Sequence, residues 1–228
     1  MSIALQRTSD VRAHGLKAVI YGHAGVGKTT LATTCPDPII ISAESGLLSI
    51  ASADLPFIEI KTMADLREAY AFVKKSDECQ GVQTVVIDSL SEIAEVVLIA
   101  EKDKTTDGRA AYGEMASQMT GLIRAFRDLP GKNVVMTAKV EKAQDETGRI
   151  LYSPSMPGSK VGQSLPYFFD LVLALRVEKD AEGITQRWLQ CQPDGIWTAK
   201  DRSGRLDEAE EPDITALIEK IHANQKES

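Results

Sequence analysis

At 228 residues the chain is long enough for one sizeable α/β core and short for two. Hydrophobic residues at 43% and charged residues at 26% match an average globular protein, which excludes a disordered or membrane class. A net charge of −7 excludes a uniformly basic surface that coats nucleic acid, but leaves room for a local basic site.

Residues 1–14 are expected to be an N-terminal extension of a single domain spanning 1–228. They lack the apolar stretch of a signal peptide, and no later run approaches the ~20 apolar residues of a membrane span, so a cytoplasmic protein without membrane contact is expected. Cys35, Cys79 and Cys191 are odd in number and lack metal-type spacing, which predicts buried, reduced thiols.

An apolar run over 16–21 predicts the first strand. It leads into Gly22-His23-Ala24-Gly25-Val26-Gly27-Lys28-Thr29, which fits G-x-x-x-x-G-K-[ST], and a helix is expected over 28–34. Strand, glycine loop and helix together make a phosphate cradle. Glycines let backbone N–H groups approach the anion, Lys28 neutralises the β- and γ-phosphates, and the Thr29 hydroxyl reaches Mg²⁺. Gly22 to Thr29, with Thr30 behind them, are therefore the expected ATP-binding residues. Average usage gives a chance match on the order of once per hundred chains of this length; the alternative is a glycine turn with an exposed lysine.

A strand over 38–42 is followed by Glu44, placed at the strand's carboxyl end, where open α/β sheets bind ligands. A strand over 57–60 and a helix over 63–75 come next. The fully apolar strand over 84–87 ends in Asp88, the expected Walker B carboxylate for Mg²⁺; its alternative role is the N-cap of a helix over 91–101. Because Ser89 follows Asp88, the group that activates water must come from elsewhere. Glu44 is the first candidate and Glu92, one turn beyond Asp88, the second.

Two segments break the rhythm of strands and helices: a polar loop over 102–111, before a helix over 113–129, and a Gly- and Pro-containing loop over 143–165, after a strand over 133–137. Loops of this length are functional or merely flexible. Between Gly131 and Leu165, Lys132, Lys139, Lys142, Arg149 and Lys160 outnumber the acids, making Lys142, Arg149 and Lys160 candidate nucleic-acid contacts. Strands are expected over 171–177 and 185–190. Lys200 and Arg202 then form the strongest remaining basic cluster, suited to a cation supplied to a neighbouring subunit's nucleotide or, alternatively, to a solvated turn. An acidic turn at 207–211 and a helix over 213–223 close the chain. The alternation predicts an α/β fold with a mainly parallel sheet flanked by helices and antiparallel strands toward the C-terminus.

The arrangement resembles the RecA/RadA-like P-loop ATPase core, and more closely the small phage ATPases associated with single-strand annealing and recombination. Ile41-Ser42-Ala43-Glu44-Ser45-Gly46 is similar to the segment carrying that superfamily's catalytic glutamate. Val134-Val135-Met136-Thr137-Ala138-Lys139 is similar to its sensor strand, though Thr137 and Lys139 stand where recombinases commonly place a glutamine. The stretch 154–165 with Phe168-Phe169-Asp170-Leu171-Val172-Leu173 resembles the end of the recombinase DNA loop, and Lys200-Asp201-Arg202-Ser203-Gly204 its late basic motif. The resemblance implies ATP hydrolysis with Mg²⁺, single-stranded DNA as ligand, a homo-oligomeric ring or filament, and a single-strand binding protein as a further partner. It also implies a phage protein working in the cytoplasm of a bacterial host.

Other P-loop classes fit less well. Asp88-Ser89-Leu90-Ser91 has no switch glycine and an Asn-Lys-x-Asp motif is absent, which disfavours a GTPase. No transporter-type Ser-Gly-Gly signature is present, and no arginine-dense lid suggests a small-molecule kinase, the chief alternative enzyme. A nucleotide switch that recruits a partner without turnover is the non-enzyme alternative.

Overall fold

Ala18, Val19, Ile20 and Tyr21 are all buried, because β1 (Lys17–Gly22) runs through the middle of the sheet with side chains packed on both faces. The computed structural model describes residues 15–44 and 46–223. The expected extension over 1–14 and the last five residues lie outside it.

After β1 come a 3₁₀ segment (Thr29–Thr34), β2 (Pro38–Ser42), a second 3₁₀ segment (Leu47–Ala53), β3 (Phe57–Glu59), α1 (Met63–Lys75), a short 3₁₀ turn (Asp77–Cys79) and β4 (Thr84–Asp88). Then follow α2 (Leu90–Lys102), α3 (Gly108–Arg127), β5 (Asn133–Gln144), β6 (Ile150–Pro154), α4 (Ser159–Phe168), β7 (Leu171–Lys179) and β8 (Thr185–Gln190). Two short strands, β9 (Lys200–Asp201) and β10 (Ala209–Glu210), precede α5 (Ile214–Ala223).

The strand order is β10-β8-β7-β1-β5-β4-β2-β3, with β6 on β5 and β9 on β7. Contacts of β1 with β5 and β7, of β4 with β2 and β5, and of β2 with β3 are parallel. The pairs β7–β8, β8–β10, β7–β9 and β5–β6 are antiparallel, so the expected mixed α/β architecture is observed. Alternate residues divide the core: Val19, Tyr21, Ile87 and Met136 meet the helices α1 to α4, while Ala18, Ile20, Val86 and Val135 meet the 3₁₀ segments and α5.

Several expectations change. The helix expected over 28–34 is a 3₁₀ segment over Thr29–Thr34, not an α-helix. Its threonines turn hydroxyls back on the chain, Thr33 to the Thr30 carbonyl and Thr34 to the Leu31 carbonyl, both at 2.8 Å, in competition with α-type bonding. The loop over 102–111 is shorter than expected, because the Asp107 carboxylate caps the N–H groups of Arg109 and Ala110 and starts α3 at Gly108. The loop over 143–165 is largely regular. β5 runs on past the core, turns at Gly148 (φ 85°) and returns as β6, and α4 follows.

All three cysteines are free and buried, and burial pushes the Cys35 and Cys191 thiols up to about 12, leaving them protonated. No helix among the described residues is long and apolar enough to cross a membrane.

Candidate functional site

The phosphate loop leaves β1 at Gly22, where an added Cβ would lie 2.7 Å from the Leu175 carbonyl oxygen of β7. Gly25 (φ 76°) and Gly27 (φ 104°) hold backbone angles that side-chain-bearing residues rarely adopt. The Lys28 ammonium folds over the loop and donates to the carbonyls of Gly22 at 3.0 Å and His23 at 2.9 Å. Those contacts use two of its three N–H groups. Burial draws Lys28 below the ordinary lysine range, with the charges of Glu44 and Asp88 pulling the other way.

Asp88 is buried at the end of β4 and receives two hydroxyl donors: Thr29 reaches Oδ2 at 2.7 Å, and Thr137, fully buried on β5, reaches Oδ1. The helix-cap alternative for Asp88 is filled instead by Ser89, whose hydroxyl accepts from the Glu92 N–H at 3.4 Å. The same Ser89 hydroxyl donates to Glu44 Oε1. Glu44 follows β2, whose Ser42 is in register with Asp88. A cleft of about 580 Å³ is lined by the phosphate loop together with Glu44, Ser49 and Lys139. The loop, Asp88 and Glu44 are thus brought together at the carboxyl ends of β1, β4 and β2.

Thr137 is the functional neighbour that motif spacing alone does not assign, since its link to Asp88 exists only once β4 and β5 lie side by side. Glu92, the second candidate base, is instead bonded to Lys139 at 2.8 Å.

A family model for an AAA domain matches residues 14–203. The chain belongs to the AAA domain family. The match runs from just before β1 through Arg202, so it takes in the loop, Asp88 and Glu44. It makes this AAA domain a nucleotide-binding protein of the P-loop ATPase type, and the family implies ATP as its ligand. A comparison with curated proteins finds no match.

The remaining sequence candidates lie apart from the AAA domain's cleft. Lys200 donates to the Pro166 carbonyl, and Arg202 pairs with the Asp170 carboxylate at 3.2 Å. The Asp170 N–H in turn bonds the carbonyl of Lys17, the first residue of β1, whereas the phosphate loop leaves the last. At about 3.3 Å per residue the two ends are ~17 Å apart, so neither cation serves its own chain's loop. Lys142 and Arg149 are exposed on the β5–β6 hairpin, Arg149 with Asp145 at 3.6 Å. Lys160 lies in the first turn of α4, and its side chain is outside the described residues.

An aromatic stack joins the hairpin to the loop. Tyr152 of β6 stacks on Trp197 with ring centroids 4.2 Å apart, and His23 of the loop meets both rings edge-on at 6.0 Å. The Arg176 guanidinium covers Trp197, 4.4 Å from its centroid.

Proposed function

We propose that this AAA domain is a Mg²⁺-dependent, RecA-like ATPase of phage DNA recombination or replication. In this role it binds single-stranded DNA, promotes annealing or strand exchange, and works as a homo-oligomer alongside a single-strand binding protein. The observation that carries the hydrolytic part is the Thr29–Asp88–Thr137 network, whose Thr29 lines the same cleft as Glu44.

The residues present fit a hard cation. Thr29 and Asp88 offer a hydroxyl and a carboxylate within 2.7 Å of each other, and no group of three or more His, Cys, Asp or Glu fit for a metal occurs among the described residues. Mg²⁺ is usually held in this way, by one or two carboxylates with phosphate and water supplying the rest. When bound, it neutralises charge that builds on the phosphates. Lys28 supplies the loop's own cation, Thr137 orients Asp88, and Glu44, itself oriented by Ser89, accepts the proton of the attacking water.

Thr137→Val keeps the shape of the buried side chain and removes the hydroxyl. The Mg²⁺ concentration for half-maximal turnover should rise roughly tenfold, as expected for loss of a group that orients a metal ligand. Thermal unfolding should also move down by a few degrees, because a buried carboxylate oxygen loses a donor. An unchanged Mg²⁺ titration contradicts the assignment of Asp88.

Support for a nucleic-acid ligand comes from the two long segments. Asp107, Arg109, Tyr112, Pro157, Gly158 and Val161 are among the residues that line one groove of about 960 Å³, with Tyr112 40% exposed and the Lys102 ammonium 5.3 Å from its ring centroid. Lys142, Arg149 and Lys160 are proposed as phosphate contacts. Oligo-dT should stimulate phosphate release, and binding should weaken steeply with salt, by ~0.7 in log–log slope for each phosphate contact removed. A Lys142/Arg149/Lys160 triple alanine variant with unchanged affinity and slope refutes those contacts. Nucleotide affinity without turnover identifies a switch, and phosphate transfer to a small acceptor identifies a kinase.

Lys200 and Arg202 are proposed to meet a neighbour's γ-phosphate. Their distance from their own loop leaves action in trans as the geometry for that role. Mixing Lys28→Ala with Arg202→Ala protein should then restore part of the turnover at mixed interfaces. A mixture as inactive as its components rejects the idea.

A further inference from the structure

The end of β1 away from the phosphate loop opens on a cavity of about 390 Å³. Charged side chains reach it from separate parts of the fold: Lys17 from the first position of β1, Arg127 and Asp128 from the end of α3, Asp170 from the turn before β7, and Arg202 from just after β9. Leu129 and Phe168 supply an apolar part of the wall.

The charges are not evenly matched. Both oxygens of Asp128 accept from Arg127, Oδ1 from Nε at 2.6 Å and Oδ2 from Nη2 at 2.9 Å, and Asp170 is paired with Arg202 at 3.2 Å. Lys17 differs. It is 6% exposed, and among the described residues its ammonium is bonded to two carbonyls, Leu129 at 3.1 Å and Lys132 at 2.6 Å, and to no carboxylate. Burial draws this lysine down to about 8, against the pull of the Asp128 and Asp170 charges, with Arg127 adding to the fall. A buried cation without a counter-charge is costly, and the cavity beside it is where one can enter.

Lysine carries three N–H groups and a guanidinium five, so donors remain on Lys17, Arg127 and Arg202 after the bonds described. The two carboxylates already hold their cations. A cationic ligand is therefore repelled by the unmatched lysine, whereas an anion completes it. A tetrahedral oxyanion accepts from several donors at once, and the volume leaves room for a short carbon chain along Leu129 and Phe168.

We propose that this cavity binds a small phosphate, either the free ion or the head of a phosphate monoester, with Lys17 as the buried cation and the guanidinium groups of Arg127 and Arg202 beside it. The site is separate from the ATP-binding loop and does not depend on that assignment.

Sulfate is the first probe, because its charge is constant between pH 7 and pH 9; inorganic phosphate and glycerol 3-phosphate follow. Calorimetric titrations compare the unaltered protein with Lys28→Ala, Lys17→Met and Arg127→Gln. Sulfate binding should persist in Lys28→Ala and weaken about tenfold or more in Lys17→Met, the size of one lost bond to a charged group. Arg127→Gln keeps an amide donor for Asp128 and should weaken sulfate by a similar factor. Because the ammonium form is the one that holds the anion, affinity at the cavity should fall about tenfold from pH 7 to pH 9, a range in which an ordinary lysine stays charged. Binding lost in Lys28→Ala and kept in Lys17→Met puts the anion on the phosphate loop and overturns the proposal, as does no binding at all. Unchanged affinity with a lowered melting temperature in Lys17→Met leaves Lys17 a clamp on the carbonyls after α3, and overturns it too. If Lys17→Met fails to fold, Arg127→Gln and the pH titration of Lys28→Ala decide. Tighter binding of glycerol 3-phosphate than of inorganic phosphate assigns the monoester as the occupant, and the reverse order the free ion.

Discussion

Replacing Lys28 by alanine should lower ATP turnover by about three orders of magnitude and weaken nucleotide binding. The group sits on the loop that closes β1, and its ammonium is held over that loop by the carbonyls of Gly22 and His23. A cation fixed there before the phosphates arrive needs little reorganisation during reaction. Positioned charges of this kind typically contribute roughly 10²–10³ in rate singly, and cations at transferring phosphoryl groups more. The change should leave the fold intact, because among the described residues the hydrogen bonds of Lys28 go to carbonyls at its own loop. Phosphate release and calorimetric titration measure the two effects, and a melting curve checks the fold. Turnover at the unaltered rate in Lys28→Ala removes the phosphate site from this loop.

Glu44→Gln should separate binding from chemistry. The amide keeps an acceptor for the Ser89 hydroxyl, so the cleft should hold its shape and MgATP affinity should stay within a few-fold. Turnover should fall by ~10²–10⁴, the usual contribution of a positioned base. The comparison with Glu92→Gln is the informative one. Glu92 is bonded to Lys139 and, unlike Glu44, is not among the residues that line the cleft, so its loss should reduce turnover far less than that of Glu44. If the order is reversed, with Glu92→Gln nearly inactive and Glu44→Gln normal, the base is Glu92.

Much of this molecule is legible from its residues because parallel strands buried on both faces are continuous apolar runs. Ala18 to Tyr21, Ile39 to Ile41 and Val85 to Ile87 announce themselves in that way. The bounds of α1 are equally plain, since Thr62 and Asp65 form a reciprocal cap at its start. The phosphate loop, Asp88 and Glu44 follow from motif and strand ends alone. What is hidden depends on partners distant in sequence or on surfaces without periodicity. The outer half of β5 is mostly exposed and polar, and β6 is only five residues long and mostly half-buried, so no sustained apolar alternation marks them as a hairpin. The glycines and prolines that suggest a loop are there a turn residue, a helix cap and a strand end: Gly148, Gly158 and Pro154. Thr137 is one more β-branched residue until β4 lies beside it. The stack of Tyr152 on Trp197 joins residues brought together only by the fold.

The position of β1 has a consequence for how the molecule is made. Its hydrogen-bonding partners are β5 on one side and β7 on the other, both encoded far downstream. At ordinary rates of synthesis, a ribosome that has finished the phosphate loop needs on the order of ten seconds to deliver the last of them. For most of that interval β1, buried along its whole length in the finished fold, has neither neighbour, and to its end it lacks β7. Its carbonyls and N–H groups are then open to pairing with another nascent copy. Early-made β2, β3 and β4 can associate first, but the sheet closes around the loop only when residues 171–179 arrive, so nucleotide-binding competence comes late in folding. A chain interrupted before β7 should therefore carry the complete glycine motif and be unable to hold it in shape.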